Sequence, residues 1–143
     1  MTGGGAARPI SRFALEAHPG PYEKWPSRSR LLDAGAPTRR RIPGYTLLHQ
    51  YELPDGYLLV TDYDCPFEEM TVFTLLGPDL RTLSCRRIGA PYNSFLLTGL
   101  EWNGEREFVA AFGSDCRFRF TVRPRGIPLL RPRLAVRRLA EPS

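Results

Sequence analysis

Residues 45–123 alternate short apolar and polar runs, and each run is closed by a turn signal. Pro54-Asp55-Gly56, Gly77-Pro78-Asp79, Asn103-Gly104 and Gly113-Ser114-Asp115 supply the fixed φ, the positive φ or the Asx hydrogen bond that a tight reversal needs. The runs between them predict strands over Tyr45–Glu52, Tyr57–Tyr63, Met70–Leu76, Leu80–Arg87, Phe95–Trp102, Glu105–Phe112 and Cys116–Arg123. Neighbours joined by such short loops must be antiparallel, because a parallel return needs a long crossover. The expected fold is therefore all-β: an antiparallel meander of about seven strands, closed as a barrel or a sandwich, with irregular basic arms at both ends.

Two hairpins assign faces. If Asn103-Gly104 is a two-residue loop, Trp102 faces Glu105, and Glu101 faces Arg106 as an opposite-charge pair. In the last hairpin Cys116, Phe118, Phe120 and Val122 share a face with Phe108, Ala110 and Phe112, while Arg117, Arg119 and Arg123 take the other. A three-residue loop there sets Arg123 opposite Glu105. The first hairpin is expected to group Leu47, His49, Tyr51 and Leu53 with Tyr57, Leu59, Thr61 and Tyr63 on a largely buried, aromatic face.

The flanks differ in kind. Residues 1–44 hold six glycines, six prolines and the run Thr38-Arg39-Arg40-Arg41, a composition that disfavours regular structure beyond short helical turns near Ile10–Ala17 and Arg30–Ala34. Phe13, Tyr22 and Trp25 give this arm anchors. In the tail, residues 124–143, Leu134–Leu139 fits one further edge strand, and Pro128 and Pro132 keep the preceding segment out of a central position. The chain of 143 residues thus divides into an arm (1–44), one β domain (45–123) and a tail, with length enough for an independent core.

Charge segregates along the same boundaries. Residues 1–44 hold eight bases and three acids, residues 45–116 four and eleven, and residues 117–143 eight and one, which are +5, −7 and +7. All but one of the bases are arginine, the side chain suited to bidentate contact with carboxylate or phosphate. Either the arms fold back on the acidic middle, with Arg131, Arg133, Arg137 and Arg138 docking on its carboxylates, or one arm reaches an external acidic surface. No run approaches the ~18 apolar residues of a membrane span and no apolar leader follows Met1, so no membrane partner is expected and the cytoplasm is the expected compartment. Cys65, Cys85 and Cys116 are odd in number and widely spaced, which points to reduced thiols rather than disulfides or zinc.

Candidate chemistry is sparse. Asp62, Asp64, Glu68 and Glu69 crowd one loop around Cys65-Pro66, a grouping suited to an acidic docking patch; its spacing fits no calcium loop. His18 and His49 are the only histidines and neither sits in a nucleophile motif. Glycine-rich nucleotide signatures are absent, and no cofactor or metal is implied. Arg117-Phe118-Arg119-Phe120 mixes bases and aromatics, yet alternation sends them to opposite faces, whereas a single-strand RNA platform needs both on one face.

The stretch from Tyr57 to Tyr92 carries Asp62-Tyr63-Asp64-Cys65-Pro66-Phe67-Glu68-Glu69, Leu75-Leu76-Gly77-Pro78-Asp79-Leu80-Arg81-Thr82-Leu83 and Ile88-Gly89-Ala90-Pro91-Tyr92. It resembles small uncharacterised bacterial β-rich proteins, some of which accompany toxins as immunity partners. The resemblance implies a dedicated protein binder and offers no catalytic residues to carry over. The expectation is a non-catalytic module that inhibits a partner protein through Asp62, Asp64, Glu68 and Glu69 or through Arg117, Arg119 and Arg123. The alternatives are a basic accessory subunit of a nucleoprotein or multi-protein assembly, and a small enzyme using the acidic loop or His49.

Overall fold

A computed structural model describes residues 7–63, 68–91, 97–113, 116–123 and 133–139, without the side chains of 68, 69, 90 and 91. Twelve strands are present among them: β1 Arg8–Pro9, β2 Phe13–Leu15, β3 Arg28–Asp33, β4 Ala36–Pro43, β5 Thr46–Leu53, β6 Gly56–Asp62, β7 Glu68–Leu76, β8 Thr82–Pro91, β9 Leu97–Trp102, β10 Glu107–Phe112, β11 Cys116–Val122 and β12 Leu134–Arg138. They form three antiparallel sheets, ordered β1-β5-β6-β7-β8, β12-β11-β10-β9 and β2-β3-β4. In these strand orders each sheet keeps two edges and none closes into a barrel. No helix among the described residues is long and apolar enough to cross a membrane.

The central strands β6 and β7 of the five-stranded sheet are buried on both faces. Along β6, Leu58, Leu59 and Val60 are all fully buried, as are Val72, Phe73 and Leu76 on β7. Such near-continuous burial marks a strand with layers above and below, where alternation no longer separates inside from outside. Leu58, Val60, Phe73 and Leu75 join one core with Phe108, Phe112 and Phe120 of the four-stranded sheet. Leu59 and Leu76 join a second core with Phe13, Leu31 and Ile42 of the three-stranded sheet. The first core centres on Phe73, Phe108 and Phe120, with ring centroids 4.3 Å apart for Phe73–Phe120 and 4.7 Å for the stacked Phe108–Phe120 pair.

Several expectations are corrected. The N-terminal arm is not irregular: Phe13–Leu15 and Arg28–Asp33 are strands where helical turns were expected, and the only helical element described is the single 3-10 turn Tyr22–Lys24. Phe13 and Leu31 are buried between more exposed neighbours, and the apolar face of the five-stranded sheet gives that period a surface to bury against. The tail strand does form, at the edge of the four-stranded sheet. The single meander becomes two consecutive four-strand runs, β5 to β8 and β9 to β12, in different sheets.

Register also moves. Leu53 pairs with Gly56 across a two-residue turn, so Tyr51 faces Leu58 and both join the first core, while Tyr57 and Leu59 turn to the second. A bulge between Leu47 and His49 returns Leu47 to the Tyr57 side, so the expected grouping holds for Leu47 and fails for Tyr51 and Leu53. Gly56 is required there, since a Cβ would lie 2.1 Å from the Leu76 carbonyl oxygen. At Asn103-Gly104 the loop is longer than two residues: Trp102 pairs with Phe108 and Glu101 with Val109. Arg106 instead approaches Asp55 at 3.7 Å. The β10–β11 register is as expected, with Phe112 opposite Cys116 and Phe108 opposite Phe120.

The arms attach through specific contacts. Arg12 forms a two-pronged pair with Asp33 at 2.6 and 2.8 Å, and its guanidinium lies against the Phe13 and Tyr57 rings. That bonding raises the arginine pKa and lowers that of Asp33. Gly44, at φ +114°, turns the chain from β4 into β5, and its carbonyl accepts the buried Ser29 hydroxyl at 2.6 Å. Trp25 and Tyr22 pack edgewise on Tyr45, at 5.2 and 5.7 Å between ring centroids, so the anchors expected in the arm do hold it down.

Candidate functional site

The acidic loop is the first candidate. Asp62 ends β6, paired with Thr46 and Thr71. Glu68 and Glu69 open β7, but their side chains, with the whole of Asp64, lie outside the described residues. Among the described residues no group of three or more His, Cys, Asp or Glu could hold a metal ion.

His49 is exposed and lines a hollow of about 200 Å³ with Pro9, Ile10, Leu47, Leu48, Gln50 and Tyr51. Its ring lies 6.1 Å from that of Tyr51, and partial desolvation holds the imidazole pKa below its ordinary value. The lining brings it no carboxylate, thiol or serine hydroxyl. His18 resembles half of a catalytic dyad, with Nε2 2.8 Å from Ser29 Oγ. Ser29 is fully buried, and its one hydroxyl proton is donated to the Gly44 carbonyl at 2.6 Å. Its oxygen therefore accepts from His18 Nε2–H, the reverse of nucleophile activation, and the pair clamps the Gly44 turn.

The arginine row is the candidate with an open surface. Arg117, Arg119 and Thr121 occupy the outer face of β11, because their neighbours Cys116, Phe120 and Val122 fill the first core. Strand β12 completes the face. Arg119 stands directly opposite Arg137, and Thr121 opposite Ala135. Around these pairs lies a shallow hollow of about 420 Å³, lined by Glu107, Arg119, Thr121, Arg123, Ala135, Val136 and Arg137. Among the described residues, Arg119 and Arg137 thus face one carboxylate, that of Glu107.

Compensation there is incomplete. Glu107 Oε2 is 3.7 Å from Arg119 Nε, an ion pair too long for a hydrogen bond. That Nε is out of solvent and has no hydrogen-bond partner among the described residues, although the side chain as a whole is 42% exposed. The side chains of Arg117 and Arg137 are exposed and show no hydrogen bond or ion pair among the described residues. Of the two alternatives for the basic tail, inward docking holds only in part: Arg133 reaches Asp55 at 3.8 Å, Arg137 and Arg138 stay exposed on β12, and Arg131 lies outside the described residues. Only one of the two sequence alternatives places Arg137 among inward-docking arginines, and its position in the alternation Leu134-Ala135-Val136-Arg137 marks it as outer-facing once Leu134 is inside.

Compared with protein-family models, with curated proteins and with solved structures, the chain matches none.

Proposed function

We propose that this chain is a non-catalytic protein-binding module, which inhibits a partner protein by docking an acidic surface of that partner on the outer face of β10, β11 and β12. The observation that carries the reading is the Arg119–Arg137 pair, two like charges set directly opposite on an open face with one carboxylate, Glu107, beside them among the described residues. Like charges in that position destabilise a sheet by roughly 0.2–1 kcal/mol, a cost that an external anion removes. The partner class we propose is a toxin, in keeping with the resemblance of residues 57–92 to small bacterial β-rich proteins, some of which accompany toxins as immunity partners. As architecture for this role we propose a β-sandwich of the five- and four-stranded sheets, which stiffens the face against its own charge.

Nucleic acid is disfavoured as the partner, because Phe118 and Phe120 turn into the protein and leave the arginine row without a stacking platform. The test is capture from the native host, with and without nuclease, using the unchanged protein and Arg117→Glu and Arg137→Glu variants. One stoichiometric protein, resistant to nuclease, lost with either variant, and whose toxicity in a producing strain is relieved by this chain, supports the reading. Retention by both variants, or recovery that collapses with nuclease, refutes it.

A further inference from the structure

We infer that the hollow between β11 and β12 is a socket for one carboxylate, an Asp or Glu side chain of the docking partner, gripped between Arg119 and Arg137. The inference rests on the docking face proposed above and adds its ligand chemistry.

The first argument is geometric. Residues directly opposite on antiparallel strands have Cα atoms about 4.5–5.5 Å apart, so two forked guanidiniums at one ladder position can converge on a single anion. The neighbouring pair on the same face, Thr121 and Ala135, is small, which leaves space between the arginines and places a hydroxyl donor beside them. The second argument is the unsatisfied donor. An Arg119 Nε–H that is buried without an acceptor is a standing cost, which a carboxylate entering next to it can relieve by drawing the guanidinium into a full hydrogen-bonded pair.

The third argument is a comparison within the molecule. Arg30 and Arg41 form a second cross-strand arginine pair, in the three-stranded sheet. There both guanidiniums find acceptors within the chain: Arg30 Nη1 donates to the Thr38 carbonyl at 2.8 Å, and Arg41 Nη1 lies 3.6 Å from Glu16 Oε2. At the Arg119–Arg137 pair Glu107 lies 3.7 Å from Arg119 alone, and the Arg137 guanidinium has no partner among the described residues. The missing carboxylate comes from outside. A monoanion suits the hollow better than a phosphate dianion, since Glu107 repels the second charge.

The test uses the full chain and fluorescence anisotropy at low salt, with a fluorescein-labelled hexaglutamate peptide as probe, hexaglutamine and a single-stranded oligonucleotide as comparators, and acetate and inorganic phosphate as competitors. Arg119→Lys and Arg137→Lys keep the charge but lose the planar fork. Each is expected to weaken hexaglutamate binding about tenfold. Arg40→Gln, at an exposed position of β4 in another sheet, is expected to change it less than about twofold. Lysine variants that bind as the unchanged protein does would overturn the socket, as would equal losses in all three variants, stronger competition by phosphate than by acetate, or tighter binding of the oligonucleotide. A captured partner lost with Arg117→Glu but indifferent to Arg137→Lys leaves the docking face standing and removes the socket alone; indifference to both removes the face.

Discussion

Arg137→Glu should make the protein more stable while abolishing partner binding. The guanidiniums of Arg119 and Arg137 project from directly opposed backbone positions on one face. Taking the charges to be about 7 Å apart in water, Coulomb's law gives a repulsion of about 0.6 kcal/mol. Reversing one charge replaces repulsion by a similar attraction, and the cost of ordering two long, exposed side chains takes back part of it, so the net gain is about 1 kcal/mol or somewhat less. For a domain of this size that is a rise of roughly 2–4 °C in melting temperature. The same substitution at Arg41 should act in the opposite sense, because Arg41 already pairs with Glu16 at 3.6 Å. The assay is urea unfolding of both variants at low and high salt, where screening should shrink both effects. If Arg137→Glu destabilises, or its effect ignores salt, the arginine is already compensated within the chain and the case for an external anion fails.

Three further outcomes follow from the packing and the titrating groups. Gly44→Ala should cost more than about 2 kcal/mol in a denaturant melt, since it adds a side chain at φ +114° and drives a Cβ to 2.5 Å from Thr61 Cβ; a loss under about 0.5 kcal/mol would contradict the tight passage from β4 to β5. Phe73→Ala should cost about 3–5 kcal/mol and lower melting cooperativity, because its ring joins β7 to Phe120 at 4.3 Å and Phe108 at 5.9 Å; a near-neutral result would mean that the sheets do not share this core. His49 has a folded pKa below its free value, so the unfolded chain binds more protons in acid: stability is whole above about pH 6.5 and falls as pH drops through the lowered folded value. His49→Gln should flatten that limb of a stability–pH curve, and an NMR titration of the ring above its ordinary pKa would reverse the sign.

Legibility in the sequence follows the strength of local signals. Cys116–Val122 alternates cleanly, and its period of two is enough to assign the face of Phe118 and Phe120, the opposing row of Arg117 and Arg119, and the register with Phe108–Phe112. Strands β6 and β7 are equally legible, but their double burial is not, since an uninterrupted apolar run such as Leu58-Leu59-Val60 does not say whether one face or two is covered. The strands of the N-terminal arm escape notice because its glycines and prolines outweigh a weak alternation around Phe13 and Leu31. Only the sheet face that carries Leu59 and Leu76 gives that alternation a purpose.

The class of structure, all-β and antiparallel, is therefore a property of local sequence, because turn chemistry and period-two patterning act within a few residues. So is the row of arginines on the outer face of β11. The layering of three sheets, the bulge that turns Tyr51 and Leu47 to different cores, and the tail strand that sets Arg137 against Arg119 arise only in the folded chain. These are pairings between residues far apart in the chain, fixed by which apolar faces can be buried together, and no local window of sequence contains them.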